Sequence, residues 1–173
     1  MNAPFAYPVV AFVLVGCASS PSFRGVDVST GQSIELAPEE MPPGSAFSGT
    51  YWSAQVGAMS LSQEGAKLSG RFTYRACDCV VNGAISGSVE GNLAKVRWTE
   101  ETTSCGEGWR AGGKGFLFYR EAPQSGRPAR LFGSRRYFHE SHGAATETLE
   151  AVAWTAVRVA PEEVASLPAP TCP

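Results

Sequence analysis

The chain lacks most of what would identify it quickly. It has no uninterrupted apolar run near the roughly 20 residues needed to cross a bilayer as a helix. No internal segment repeats apolar residues every 3 to 4 positions, which excludes a helical bundle and a regular alternation of helices and strands. Charged residues make up 17% of the chain, below the roughly 25% of average soluble domains. There is no Gly-x-Ser-x-Gly elbow, phosphate-cradling glycine loop or zinc-hydrolase helix motif. The two histidines, His139 and His142, stand in a loop-like stretch without a third ligand at a recognisable spacing, so no metal is expected. Glu100 and Glu101 are adjacent and would point to opposite faces of a strand, which makes them a poor acid and base pair. Cys105, in Ser104-Cys105-Gly106, has no obvious activating base. These absences lead us to expect no enzyme activity and no cofactor.

What is abundant is glycine (19) and proline (12), with 43% hydrophobic residues in 173. That suits one β-rich domain with many turns. The net charge of −2 is unevenly spread: residues 47–159 hold 13 Lys and Arg against 10 Asp and Glu, leaving them mildly basic. An excess of three charges is far from the concentrated basic stripe of a nucleic-acid binder.

The N-terminus carries the most specific motif. An apolar run over residues 9–15 ends in Leu14-Val15-Gly16-Cys17 and is followed by Ala18-Ser19-Ser20. It resembles the lipobox of bacterial lipoproteins, although residues 2–16 lack the Lys or Arg with which a signal normally opens. The resemblance implies a signal peptide over residues 1–16 and a Cys17 that receives diacylglycerol, palmitate-type acylation included, as the new N-terminus. Its expected partner is therefore a membrane, reached through the lipid. Ala18 in place of Asp implies, by the same analogy, the outer membrane of a Gram-negative envelope, facing the periplasm or the cell surface. Residues 17–46, with Pro21, Pro38, Pro42 and Pro43, read as a tether. Within it, residues 26–28 and 34–36 flank Gly31 and suggest a small hairpin that docks on the domain's edge. Residues 160–173 read as a Pro-rich tail.

Export would place Cys77, Cys79, Cys105 and Cys172 in an oxidising compartment, where disulfides are the default. Four cysteines allow three pairings. A Cys77–Cys79 loop is very tight, which favours one of these two with Cys105 and the other with Cys172.

Between tether and tail, eight short segments have strand chemistry, over residues 49–55, 58–63, 67–76, 83–90, 93–100, 115–120, 130–137 and 149–158. The third is the clearest: Leu68, Gly70, Phe72 and Tyr74 alternate with Lys67, Ser69, Arg71, Thr73 and Arg75. Segments four and five repeat the pattern, whereas Phe116-Leu117, Leu131-Phe132 and Val152-Ala153 in the last three do not declare an inward face. Antiparallel neighbours with one apolar face each must close or stack, and about eight strands close a barrel. The expected fold is all-β, an antiparallel up-and-down barrel over residues 47–159, with a two-sheet sandwich as the alternative.

The runs Gly49-Thr50-Tyr51-Trp52, Leu61-Ser62-Gln63-Glu64-Gly65, Leu68-Ser69-Gly70-Arg71-Phe72, Ile85-Ser86-Gly87 and Val96-Arg97-Trp98 resemble the meander barrels of the calycins, the lipocalins and avidins among them. The resemblance implies barrel geometry and no particular ligand. The first functional expectation is a lipid-anchored binding module of the cell envelope. It would hold a small apolar molecule in a cavity lined by Trp52, Phe72, Tyr74 and Trp98, with Gly70 and Gly87 leaving room, or an envelope component on its surface. If instead the aromatics are core, the glycines serve curvature alone. The stripe Lys67, Arg71, Arg75, Lys95 and Arg97 would face outward, as a solvated strand face or toward an anionic partner. The rival class is a protein-interaction module, such as an inhibitor of lysozyme or protease, acting through loops at residues 101–113 and 138–148, or a structural envelope lipoprotein.

Overall fold

The computed structural model describes residues 23–26, 33–76, 79–102, 110–122, 127–141 and 144–168. Eight strands form one closed barrel: β3 (Gly49–Ser53), β4 (Gly57–Glu64), β5 (Lys67–Ala76), β6 (Cys79–Glu90), β7 (Leu93–Thr102), β8 (Arg110–Ala122), β9 (Arg127–Ser141) and β10 (Ala144–Arg158). Each pairs antiparallel with its sequence neighbours, and β10 returns to β3 through Val157↔Trp52 and Arg158↔Tyr51. The fold is thus the up-and-down barrel, not the sandwich. A two-stranded sheet, β1 (Phe23–Val26) with β2 (Ser33–Leu36), precedes it. The expected hairpin is present, with its first strand a few residues earlier than the sequence pattern suggested.

Local chemistry sets the closure. The β4–β5 and β6–β7 connections are two-residue turns that open with Gly65 (φ +58°) and Gly91 (φ +54°), the left-handed conformation such hairpins require. Both leave the flanking alternation in register. The inward row of Leu68, Phe72, Ile85, Val96 and Trp98 is buried, while Ser69, Arg71, Ser86 and Arg97 are exposed. The mixed segments resolve the same way: Leu117, Tyr119, Leu131, Trp154 and Ala156 are buried.

The described residues that precede the barrel pack on its outer face. Leu93, Phe116 and Phe118 belong to the outer face of β7 and β8, and Leu36 packs on them; Leu93 is wholly buried there and Phe116 nearly so. Three residues on, Glu39 and Asn92 clasp each other: Asn92 N–H donates to the Glu39 carbonyl (2.9 Å), and Glu39 N–H donates to Asn92 Oδ1 (2.9 Å). Any side chain at Gly91 would overlap that Glu39 carbonyl. Phe47 then enters the core, fully buried, with its ring 5.8 Å from that of Tyr119. At the other end, Pro161–Ser166, the start of the Pro-rich C-terminal stretch, forms a 3-10 turn.

Candidate functional site

Two charged clusters occupy the barrel interior. In the first, β7 presents Glu100 and β9 presents Arg135, with side chains 1% and 5% exposed. Arg135 Nη1 donates to Glu100 Oε1 at 2.8 Å. The guanidinium carbon lies 5.1 Å from the ring of Trp98 and 5.5 Å from that of Trp154, so the cation is held between two indoles. Phe72 meets Trp154 edge to face at 6.2 Å. In the second cluster, Arg158 donates from Nη2 to the carbonyls of Ala46 (3.0 Å) and Ser48 and covers the rings of Tyr51 and Tyr119 at 5.5 and 5.8 Å. This ties the end of the last strand to the start of the first. Burial pushes the Tyr51 phenol up to about 12, with the Arg158 charge working against that rise. A carboxylate already bonded to a guanidinium and a phenol held so firmly protonated are poor acids, bases or nucleophiles at neutral pH.

The four expected cavity residues do not converge. Phe72 and Trp98 lie inside, Tyr74 is half-buried beside Phe72, with rings 6.3 Å apart, and Trp52 faces outward. Trp52 alternates with buried Tyr51 and Ser53, and its Nε1 donates to the Pro168 carbonyl at 3.2 Å. It therefore lies under the C-terminal segment, in a groove shared with Val164 and Leu167. The reason is parity: β3 points Tyr51 inward, so its neighbour cannot be.

The inward glycines leave no room either. A Cβ at Gly83 would overlap the Phe72 ring, one at Gly70 the Leu61 side chain, and one at Gly87 the backbone of Lys95. They allow close approach of rings and strands, which corrects the expectation of free space beside the aromatics. Trp98, Trp154, Tyr51, Tyr119, Phe47 and Met59, each under 2% exposed, fill the described interior.

The outer face is different. A groove of about 740 Å³ crosses β5 to β8 between Arg71, Ala84 and Thr99 on one side and Thr73, Asn82, Glu101 and Arg110 on the other. Thr73 and Asn82 are hydrogen-bonded at 3.2 Å, and Arg110 lies 3.7 Å from Glu101. A second groove, about 380 Å³, has Ser86 and Ser88 as low walls and Lys95, Arg97 and Lys114 as high ones. Lys95 has Glu90 at 3.9 Å. The register puts Ser69, Ser86, Arg97, Lys114 and Arg136 in one row across five strands, so three cations are lateral neighbours. Lys95 and Arg97 were visible from alternation. Lys114 and Arg136 were missed because only strand pairing brings them beside Arg97.

Cys79 is the one cysteine among the described residues and stands as a disulfide half-cystine. Cys17, Cys77, Cys105 and Cys172 lie outside those residues, as do His142 and the side chain of His139. Among the described residues no cluster of three metal-ligating side chains occurs, and no helix is long and apolar enough to cross a membrane. Comparison with protein-family models, with curated proteins and with solved structures finds no match.

Proposed function

We propose that this chain is an exported envelope protein, lipid-anchored at Cys17, whose barrel is a rigid frame for recognition on its outer surface. The carrying observation is the contrast between an interior occupied by Trp98, Trp154, Tyr51 and Tyr119 and an outer face with two open grooves bordered by cations, Arg71 and Arg110 at one and Lys95, Arg97 and Lys114 at the other. A carrier of apolar molecules needs a concave apolar site with space in it. The described interior instead holds a bonded ion pair between indoles. The barrel geometry is compatible with calycins, and kinship with them remains part of this proposal, as does the disulfide pairing of Cys79 with a partner among Cys77, Cys105 and Cys172. The inhibitor-type alternative would act through residues 101–113 and 138–148, yet residues 110–113 belong to β8 and residues 138–141 and 144–148 to β9 and β10, which leaves 103–109 and 142–143 outside the described residues.

The address is tested by expressing the full chain in a Gram-negative host with labelled palmitate. Label and membrane association that disappear in Cys17→Ser are the expected result. A wild-type protein without label, or a Cys17→Ser protein that keeps it, overturns the anchor.

A further inference from the structure

We infer that the outer face of β6 to β9, centred on Lys95, Arg97, Lys114 and Arg136, is a docking surface for anionic phospholipid headgroups of the membrane that holds the anchor. The inference rests on the Cys17 reading for its geometry and on the barrel register for its charge.

The first support is reach. Cys17 precedes Phe23 by six residues, a span of at most about 20 Å even when fully extended. Phe23 is paired with Leu36, and Leu36 is seated on Phe116 and Leu93. Phe116 is the lateral partner of Lys95, and Lys114 is two residues further along the same strand, about 7 Å away. The Glu39–Asn92 clasp fixes the chain on this side of the barrel. A lipid at Cys17 would therefore hold this face within a short chain length of the bilayer.

The second support is charge. Arg97, Lys114 and Arg136 are direct cross-strand neighbours, and Arg120 and Arg130 form another like-charged pair on β8 and β9. Like charges directly opposite are unfavourable in a sheet. Whatever else each side chain bonds, their grouping concentrates positive potential on one face. Ser86, Ser88 and Gly115 keep the second groove's floor low, leaving space of headgroup size between the cations. Anionic leaflets attract such clusters within about a Debye length, near 8 Å at physiological salt.

The test uses the full chain carrying Cys17→Ser, so that no lipid contributes, in co-sedimentation with phosphatidylcholine vesicles and with vesicles half phosphatidylglycerol. Neutral vesicles read any insertion of residues 1–16. Binding to the anionic vesicles is expected to be at least tenfold stronger, to fall steeply between 50 and 300 mM salt, and to drop to the neutral level in Arg97→Glu/Lys114→Glu/Arg136→Glu. Because that variant could misfold, Arg97→Gln/Lys114→Gln is measured beside it, with far-UV spectra for both; an intermediate loss of several-fold in folded protein is expected. Equal binding to the two vesicle types overturns the inference, as does a folded variant that binds like its parent. Indifference to anionic vesicles with retention on immobilised polyglutamate would make the face an acidic-protein site and also overturn it. Absence of palmitate label on the wild-type chain is a separate failure, that of the anchor.

Discussion

Arg135 and Arg136 are neighbours in the chain and live in opposite media. Arg135 points into the barrel, bonded to Glu100 and covered by two indoles, while Arg136 points out, in a row with Lys114 and Arg97. The difference shows that the alternation of a strand decides what a charge costs and does. Inside, Arg135 is paired with a buried carboxylate and covered by two indoles, which offsets the cost of taking its charge out of water. Outside, Arg136 stands half-exposed beside like-charged Lys114.

Removing one inner partner has the largest expected effect. Arg135→Met leaves the Glu100 carboxylate buried without its guanidinium, and a loss of about 3–5 kcal/mol in denaturant unfolding is expected. Arg136→Met should change stability by no more than about 0.5 kcal/mol. The double variant Glu100→Leu/Arg135→Met sharpens the point, because apolar replacement of both charges should recover most of that loss. Nearly as large is Trp154→Ala, expected to cost about 3–5 kcal/mol by emptying a fully buried site. Trp52→Ala, half-buried outside, should cost clearly less in the same assay.

A smaller effect concerns the Tyr51 phenol. Its folded value, about 12, lies above the unfolded value near 10. The folded state therefore keeps its proton where the unfolded chain has lost it, and stability is full below pH 10 and falls as pH rises from 10 toward 12. Tyr51→Phe should remove that part of the alkaline slope in denaturant midpoints measured across this range. The smallest expected effect on stability belongs to the outer row: Lys114→Gln should leave the unfolding midpoint nearly unchanged, and a modest gain is expected if cross-strand repulsion dominates.

The barrel was legible because β5, β6 and β7 alternate cleanly and the turns at Gly65 and Gly91 are written in their glycines. β8 to β10 hid their inward face, since Phe116-Leu117 and Leu131-Phe132 put apolar side chains on both sides: Phe116 lies under Leu36 on the outside, while Phe132 is exposed there with Arg120 6.0 Å from its ring. Trp52 misled for a related reason. A large aromatic reads as core, but here it is covered by Leu167 and Pro168 from more than a hundred residues away. Arg135 and Arg158 were unreadable as interior groups because a charge in a strand is ordinarily outward. Only the long-range partners Glu100, Trp98 and Trp154, and the carbonyls of Ala46 and Ser48, make their burial tolerable.

On the function proposed for it, the barrel is a filled frame whose binding surface faces outward. Native mass spectrometry of the full-length Cys17→Ser protein, purified from a bacterial envelope host and compared with the same sample after denaturation, tests it most directly. A folded mass equal to the covalent mass is the predicted result. A bound molecule that is released only when the barrel unfolds would contradict it and return the interior to consideration as a carrier site.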